Sequence, residues 1–143
     1  MAYTDSKILC ISEGEEDSAT LGFVRNKTVV CEVMHPCDLY AVGALIRVAL
    51  TSEAATLVVT RRPIPYTGGD ATATAVASVI VPTLTVAGKI VWKAPTAPIK
   101  LNAGDELKFV WPDTGGAVYW KPWFEAYPRP ETKDNNTDFI KSA

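Results

Sequence analysis

A short segment that concentrates thiol and imidazole groups is the first place where this sequence could do chemistry. Cys31, His35 and Cys37 lie within seven residues, and His35 is the only histidine of the chain. A structural zinc site takes four such ligands, and Cys10 could supply the fourth. Cys-x3-His-x-Cys is not a common zinc spacing, however, and Pro36 restricts the geometry of the last two ligands. An odd count of three cysteines without a recognisable secretory signal indicates reduced thiols. We expect buried, inert thiols here, with no metal and no cofactor.

Enzymatic catalysis has weak support in the remaining residues. A Ser–His or Cys–His nucleophile pair would have to use His35, and no G-x-S-x-G elbow supplies a nucleophile. Carboxylates are paired at 15–16 and at 105–106, but neighbouring residues on a strand point to opposite faces of a sheet. A catalytic role would require His35 in a pocket beside Cys31, Cys37 or an acid. The chain is therefore not expected to be an enzyme.

Aromatic side chains form a second candidate site, because they are concentrated in the C-terminal third. One face of the strand around 119–124 could pack in the core while the other meets a ligand or a partner. A sugar-binding platform would use the same residues, with Trp120 and Trp123 as stacking faces. A strand buried on both faces explains the pattern equally well. The aromatic residues concerned are Trp92, Trp111, Tyr119, Trp120, Trp123, Phe124 and Tyr127.

The elements that must position these residues read as short strands. Apolar residues alternate along 40–50 at Tyr40, Val42, Ala44, Ile46, Val48 and Leu50, which is the period of a half-buried strand. Ten prolines and nine glycines separate this run from similar ones further along the chain. Such spacing predicts an all-β fold, a single antiparallel β-sandwich or jelly roll.

The most regular segment is 98–109, in which two alternating runs flank Asn102-Ala103-Gly104-Asp105. The pattern predicts a hairpin or another strand-to-strand connection, with Gly104 at positive φ. The Ala-rich stretch 71–78 competes as a helix. Its threonines and valine lose rotamer freedom in a helix, so we expect a loop that leads into a strand.

Length and charge limit the remaining alternatives. The 143 residues suffice for one domain, which we place at 28–127, with an N-terminal arm at 1–27 and a C-terminal tail at 128–143. Residues 1–20 carry five acids against one lysine, a net charge of −4, whereas 41–100 carry six bases against two acids. An acidic arm on a mildly basic body could attract itself or a neighbouring copy. The bases are too scattered for a nucleic-acid site, and no apolar stretch is long enough to span a membrane.

Four strand-like segments follow one another in an order that is similar to a known family. The segments concerned are 55–63, ending in Arg61-Arg62-Pro63, then Val79-Ile80-Val81-Pro82, Ala87-Gly88-Lys89-Ile90-Val91-Trp92, and 101–109 with its Leu-x-x-Gly-Asp-x-Leu-x-Phe turn. Over 39–127 the chain resembles the small β-sandwich head decoration, or cement, proteins of tailed bacteriophages. Trimeric fibre heads and other jelly rolls share the turn.

The resemblance implies a non-enzymatic protein on the outer face of an assembled capsid in the virion, made in the host cytoplasm. Its partners would be the major capsid protein and further copies of itself, most simply as a trimer, and neither nucleic acid nor membrane. The two ends would lie as arms along the shell or a neighbour. The contacts expected from this comparison are Arg61, Arg62, Tyr119, Trp120, Trp123 and Phe124, with Phe139 and Ile140 in the tail. The alternative is a carbohydrate- or ligand-binding β-sandwich module.

Overall fold

The described part of the chain is built from strands. The computed structural model describes residues 10–13, 23–24, 28–48, 54–63, 73–82, 85–112, 119–130 and 140–142. The predicted all-β class is confirmed. The strands are β1 (Cys10–Glu13), β2 (Phe23–Val24), β3 (Val29–Val33), β4 (Cys37–Ile46), β5 (Ala55–Arg62), β6 (Thr74–Val81), β7 (Ile90–Lys93), β8 (Ile99–Leu101), β9 (Glu106–Val110) and β10 (Tyr119–Pro128).

The strands form two antiparallel sheets. The first sheet has the order β1-β3-β9-β5-β6, and the second has the order β2-β10-β4-β7. Strand β10 pairs along the whole of β4, so β7 and β8 share the opposite side of β4, one after the other. This is a β-sandwich, as predicted, whereas the more specific jelly-roll connectivity stays a prediction. None of the described residues belongs to a helix long and apolar enough to cross a membrane.

The core lies between the sheets because apolar residues alternate along the strands. Burial follows period two along β3 and along most of β5. At the centre, Trp120 is fully buried and is surrounded by three other aromatic rings. The ring of Trp111 meets it edge-on at 5.5 Å between centroids, with Phe23 at 6.1 Å and Phe109 at 6.5 Å. Edge-on and tilted arrangements of this kind are the favourable ones for aromatic pairs.

The sandwich extends into the segment that the sequence assigns to the N-terminal arm. Strand β1 pairs with β3 at the edge of the first sheet, and β2 pairs with β10 at the edge of the second. Phe23 is buried against Trp120, which gives the second strand an apolar reason to join the sandwich. The arm of 1–27 thus contributes two strands to the domain.

A β-bulge separates Tyr40 from the apolar series in which the sequence placed it. Glu125 pairs with Ala41 and Ala126 with Leu39, which leaves Tyr40 as the extra residue of β4. The strand changes phase at this point, so Val42, Ala44 and Ile46 point inward while Tyr40 is exposed. Period-two reasoning fails here because a bulge leaves no mark on hydrophobic alternation alone.

The regular segment 98–109 connects the two sheets. Strand β8 pairs with β4 in the second sheet, whereas β9 pairs with β3 and β5 in the first. It is therefore a strand-to-strand connection and not a hairpin. Gly104 has a φ of 91°, as the turn chemistry predicts. Its amide donates to the Val33 carbonyl at 2.7 Å, which ties the turn to the end of β3.

Some predictions fall on parts of the chain outside the described residues. These include Phe139, most of the N-terminal arm, and most of the tail of 128–143. Ile140 is described and is almost fully exposed.

Candidate binding face

The outer surface of the second sheet carries two tryptophans in one row. Gly43 on β4 pairs with Trp123 on one side and with Trp92 on the other. Directly paired residues of an antiparallel ladder project from the same face, and neighbouring strands lie ~4.8 Å apart, so the tryptophan backbones are ~10 Å apart. Trp92 is 59 % exposed and Trp123 is partly exposed. Gly43, which pairs with both tryptophans, adds no side chain of its own to this row.

The next row continues this surface with aliphatic side chains. Leu45 of β4 pairs with Ile90 of β7 and with Lys121 of β10. Ile90 is 45 % exposed. We call the surface made by Gly43, Leu45, Ile90, Trp92 and Trp123 the aromatic face.

Gly43 is required for β7 to pack this closely against β4. A methyl group at this position would overlap the carbonyl oxygen of Val91 and would lie 2.8 Å from the Cα of Trp92. The backbone of β7 therefore approaches β4 more closely than any side chain would permit. The glycine thus positions Trp92 within the aromatic face.

Two tyrosines border the aromatic face on the side of the bulge. Tyr40 and Tyr127 meet edge-on at 5.1 Å between ring centroids. The Tyr127 hydroxyl donates a hydrogen bond to Glu125 Oε1 at 2.5 Å. This bond to Glu125, together with burial and the charge of Glu125, raises the pKa of Tyr127 above 10.0. The hydroxyl is therefore neutral at physiological pH.

The outer surface of the first sheet is different in character. There Arg62 Nε donates to Glu106 Oε1 at 2.6 Å, and Nη2 of the same guanidinium contacts the same oxygen. The pair borders a depression of about 140 Å³ whose lining includes Thr60 and Lys108. One outer surface of the sandwich is thus polar and charged at this point, while the other is aromatic. Polar residues are the usual outer lining of a sandwich, so the aromatic face is the exception.

Arg61 is used inside the molecule. Its Nη2 donates to Asp105 Oδ2 at 3.0 Å, and Asp105 is only 1 % exposed. The same carboxylate oxygen accepts the backbone amide of Asn102 at 2.9 Å. This carboxylate therefore fixes the inter-sheet turn and joins it to the end of β5. Arg61 and Arg62, predicted from the resemblance as partner contacts, both have carboxylate partners within the chain.

Arg129 performs a similar structural task where β10 ends. Its guanidinium donates to the carbonyls of Cys37 and Leu101 at 3.0 Å and to Asn102 Oδ1 at 3.0 Å. Its backbone carbonyl lies 3.2 Å from His35 Nε2. These bonds tie β10 to the start of β4 and to the end of β8.

The Cys/His segment is divided between the core and this structural network. Cys31 and Cys37 are 1 % and 2 % exposed, and both are reduced members of the core. The interpretation as buried thiols is confirmed for these two. Within the described ranges, no group of three or more His, Cys, Asp or Glu residues is placed to hold a metal ion. The side chain of Cys10 lies outside the described residues.

The strand β10 divides the predicted aromatic contacts between its two faces. Trp120 and Phe124 point inward and are buried, so neither offers a ring face to a partner. Tyr119 and Trp123 alternate with them and are partly exposed. Residues 120 and 123 are an odd number apart on one strand, and they therefore cannot form a joint platform.

Trp92 is the tryptophan of this face that sequence reasoning did not predict as a contact. It was recognised as aromatic but not predicted as a contact, because the aromatic contacts were placed on the strand around 119–124. The available signal was its immediate neighbourhood, since Lys89 and Lys93 bracket the run and indicate an exposed edge.

Comparison with known proteins adds no relative. No protein-family model matches the chain, and no curated protein matches it significantly. What the protein does is therefore argued from the aromatic face and from the sequence resemblance.

Proposed function

We propose that this chain is a non-enzymatic virion protein of the decoration, or cement, class. It binds the outer face of an assembled capsid and stabilises the shell by bridging neighbouring subunits. The observation that carries the proposal is the aromatic face, an apolar surface on the outer side of a sheet whose inner side already packs in the core. The sequence resemblance over 39–127 supports the same assignment.

The chemistry of the aromatic face suits a protein partner. Exposed tryptophans are rare on solvent-facing sheets but are typical at the centre of protein interfaces. Trp92 has roughly 100–150 Å² of accessible surface left to bury, given ~250 Å² for a whole side chain and its 59 % exposure. At 25 cal/mol per Å² its burial is worth about 3 kcal/mol, the size of an interface hot spot. Lys121 and Glu125 beside Trp123 would supply the polar rim.

Assembly amplifies such a contact. A ligand that binds only the assembled lattice stabilises it by mass action. A decoration protein that contacts two subunits at once gains effective concentration, because the second contact is intramolecular. One flat face per molecule is sufficient if copies associate on the shell.

Co-sedimentation with mature shells tests the proposal. The shells are assembled from the major capsid protein encoded in the same genome. We expect Trp92→Ser and Trp123→Ser to weaken binding by at least about tenfold each. Ile80→Ser is the matched control, because Ile80 is 66 % exposed on the outer surface of the first sheet. Wild-type binding by both tryptophan variants, or no binding of the wild-type protein, would contradict the proposal.

A carbohydrate-binding module is the second candidate, and a specific observation favours it. Trp92 and Trp123 pair with the same residue, Gly43, and project from one face of the sheet two strands apart, an arrangement that suits stacking on successive sugar rings of a polysaccharide. Titration with soluble polysaccharides, followed by tryptophan fluorescence, separates the candidates. Saturable binding that depends on both tryptophans, without binding to shells, would favour the carbohydrate module.

A further inference from the structure

The sandwich has two lateral edges of different composition. Strands β6 and β7 contact each other and form one edge, while β1 and β2 are the end strands on the opposite side. Among the described strands, β7 pairs only with β4. The other side of β7 therefore presents backbone donors and acceptors that another strand could use.

The β7 edge combines apolar surface with positive charge. Ile90 and Trp92 are exposed along it, and with Val86 they border a shallow, open trough of about 590 Å³. Lys89 and Lys93 lie at the two ends of the strand, and both are exposed. Lys100 on β8 adds a further positive charge on the same side of β4.

The positions of the two lysines disfavour a symmetric pairing of two β7 strands about Val91. Lys93 pairs with Val42, and the Lys89 carbonyl accepts a hydrogen bond from the amide of Ile46. Both lysines therefore lie opposite core residues of β4. If two β7 strands paired antiparallel about Val91, Lys89 of each copy would face Lys93 of the other. Like charges opposite each other destabilise a ladder, and lysines of this kind protect edges from self-pairing. The charge at both ends of the edge favours an acidic strand over a basic one.

The chain itself supplies an acidic segment of suitable length. Residues 13–17 contain Glu13, Glu15, Glu16 and Asp17 and no base. Strand β1 ends at Glu13 and β2 begins at Phe23, which leaves nine residues to join them. Nine residues span up to ~30 Å, whereas stacked sheets are only ~10 Å apart, so the connection is longer than its crossing requires.

A contact between the acidic segment and the β7 edge would join two copies. Within one molecule, β1 and β2 lie on the side of the sandwich opposite β7. We propose that the acidic segment 13–17 of one copy docks along the β7 edge of a second copy, between Lys89 and Lys93. The contact is head-to-tail, and repeated head-to-tail contacts give a ring where the rotation between copies closes and an open filament where it does not. This association does not depend on capsid binding, so the two can fail separately.

Charge exchange in the full-length protein tests the contact. The mass of the protein is measured by sedimentation velocity over a range of concentrations at low and at high salt. We expect a salt-sensitive oligomer that Lys89→Glu with Lys93→Glu weakens by at least about tenfold, and that Glu15→Lys with Glu16→Lys weakens equally. The four substitutions together should restore association, because each repulsion is again an attraction. Lys141→Glu, an exposed lysine outside the strands, is the control.

Each result decides the question. Restoration in the fourfold variant supports the contact, since a merely misfolded protein would not be rescued. A monomer at every concentration would overturn it. So would an oligomer that is insensitive to both pairs of substitutions. Amide exchange at 90–93 provides a second readout, with protection expected to rise with protein concentration.

Discussion

Gly43→Ala tests whether the close approach of β4 and β7 holds the aromatic face together. The added methyl group would overlap the Val91 carbonyl oxygen and would lie 2.9 Å from its carbonyl carbon. Both are backbone atoms, so no rotamer change relieves the clash. The strand β7 must move outward by roughly 1 Å, which lengthens ladder hydrogen bonds from ~2.9 Å towards the limit of a bond.

The magnitude follows from overpacking and from the lost bonds. Overpacking costs about 1–3 kcal/mol, and each weakened ladder bond adds up to about 1 kcal/mol. We expect about 3 kcal/mol in total, or a fall in Tm of roughly 6–12 °C for a domain of this size. Denaturant unfolding gives the free energy, and hydrogen exchange at 90–93 locates the change.

Gly88→Ala is the matched control for this substitution. Gly88 has a φ of 88°, but nothing lies within 4 Å of a methyl group placed there. This variant should lose only about 1–2 kcal/mol from backbone strain. If Gly43→Ala unfolds like the wild type and keeps the slow exchange of β7, the reasoning from the close approach is refuted.

Three further predictions concern groups away from the aromatic face. Arg61→Met should lower the free energy of unfolding by about 3 kcal/mol, because it leaves the buried Asp105 carboxylate without its cation. Adding Asp105→Asn should recover part of this loss. Equal stability of Arg61→Met and wild type would contradict the prediction. The pKa of Tyr127 is raised in the folded state, so its contribution to stability is complete below pH 10 and is lost as the pH rises through the folded pKa. Absorbance titration should show one tyrosine that ionises at a higher pH than the others, and Glu125→Gln should bring its pKa back towards 10.0. A titration that this substitution leaves unchanged would contradict the prediction. The thiol of Cys31 should react with Ellman's reagent only on unfolding, and rapid reaction in the native protein would contradict its burial.

The fold class could be predicted because sandwich strands obey period two and end at proline and glycine. The inward positions of Val42, Ala44 and Ile46 and the positive φ of Gly104 are local properties, and both followed from sequence. The phase change at Tyr40 did not, because it depends on how β10 aligns with β4. The inclusion of Phe23 in the core was missed for a similar reason, since its partner Trp120 lies far away in sequence.

The candidate site was predicted only in part, because the register between strands decides which side chains lie together on one face of the sheet. Sequence reasoning left open whether the strand of Trp123 is buried on one face or on both. The structure leaves Trp123 partly exposed, and its partner in the row is Trp92 and not Trp120. These two tryptophans are brought together by Gly43, which carries no side-chain signal at all. Arg61 was predicted as a contact from the sequence resemblance, whereas the structure gives it a buried carboxylate partner.

The aromatic face and the β7 edge share Trp92, and this has a consequence for binding. A strand docked on the β7 edge would fix the backbone that carries Trp92 and would thereby pre-organise the aromatic face. The Lys89→Glu, Lys93→Glu variant retains both tryptophans. We expect it nevertheless to dissociate from shells faster than the loss of multivalent binding alone would cause. The reference is the Glu15→Lys, Glu16→Lys variant, which is expected to be a monomer with an intact β7 edge. The two variants are compared at equal occupancy of the shell. Added wild-type protein supplies an acidic segment to the β7 edge of the reference variant. If supplying that segment leaves the dissociation rate of the monomer unchanged, the edge and the face act independently.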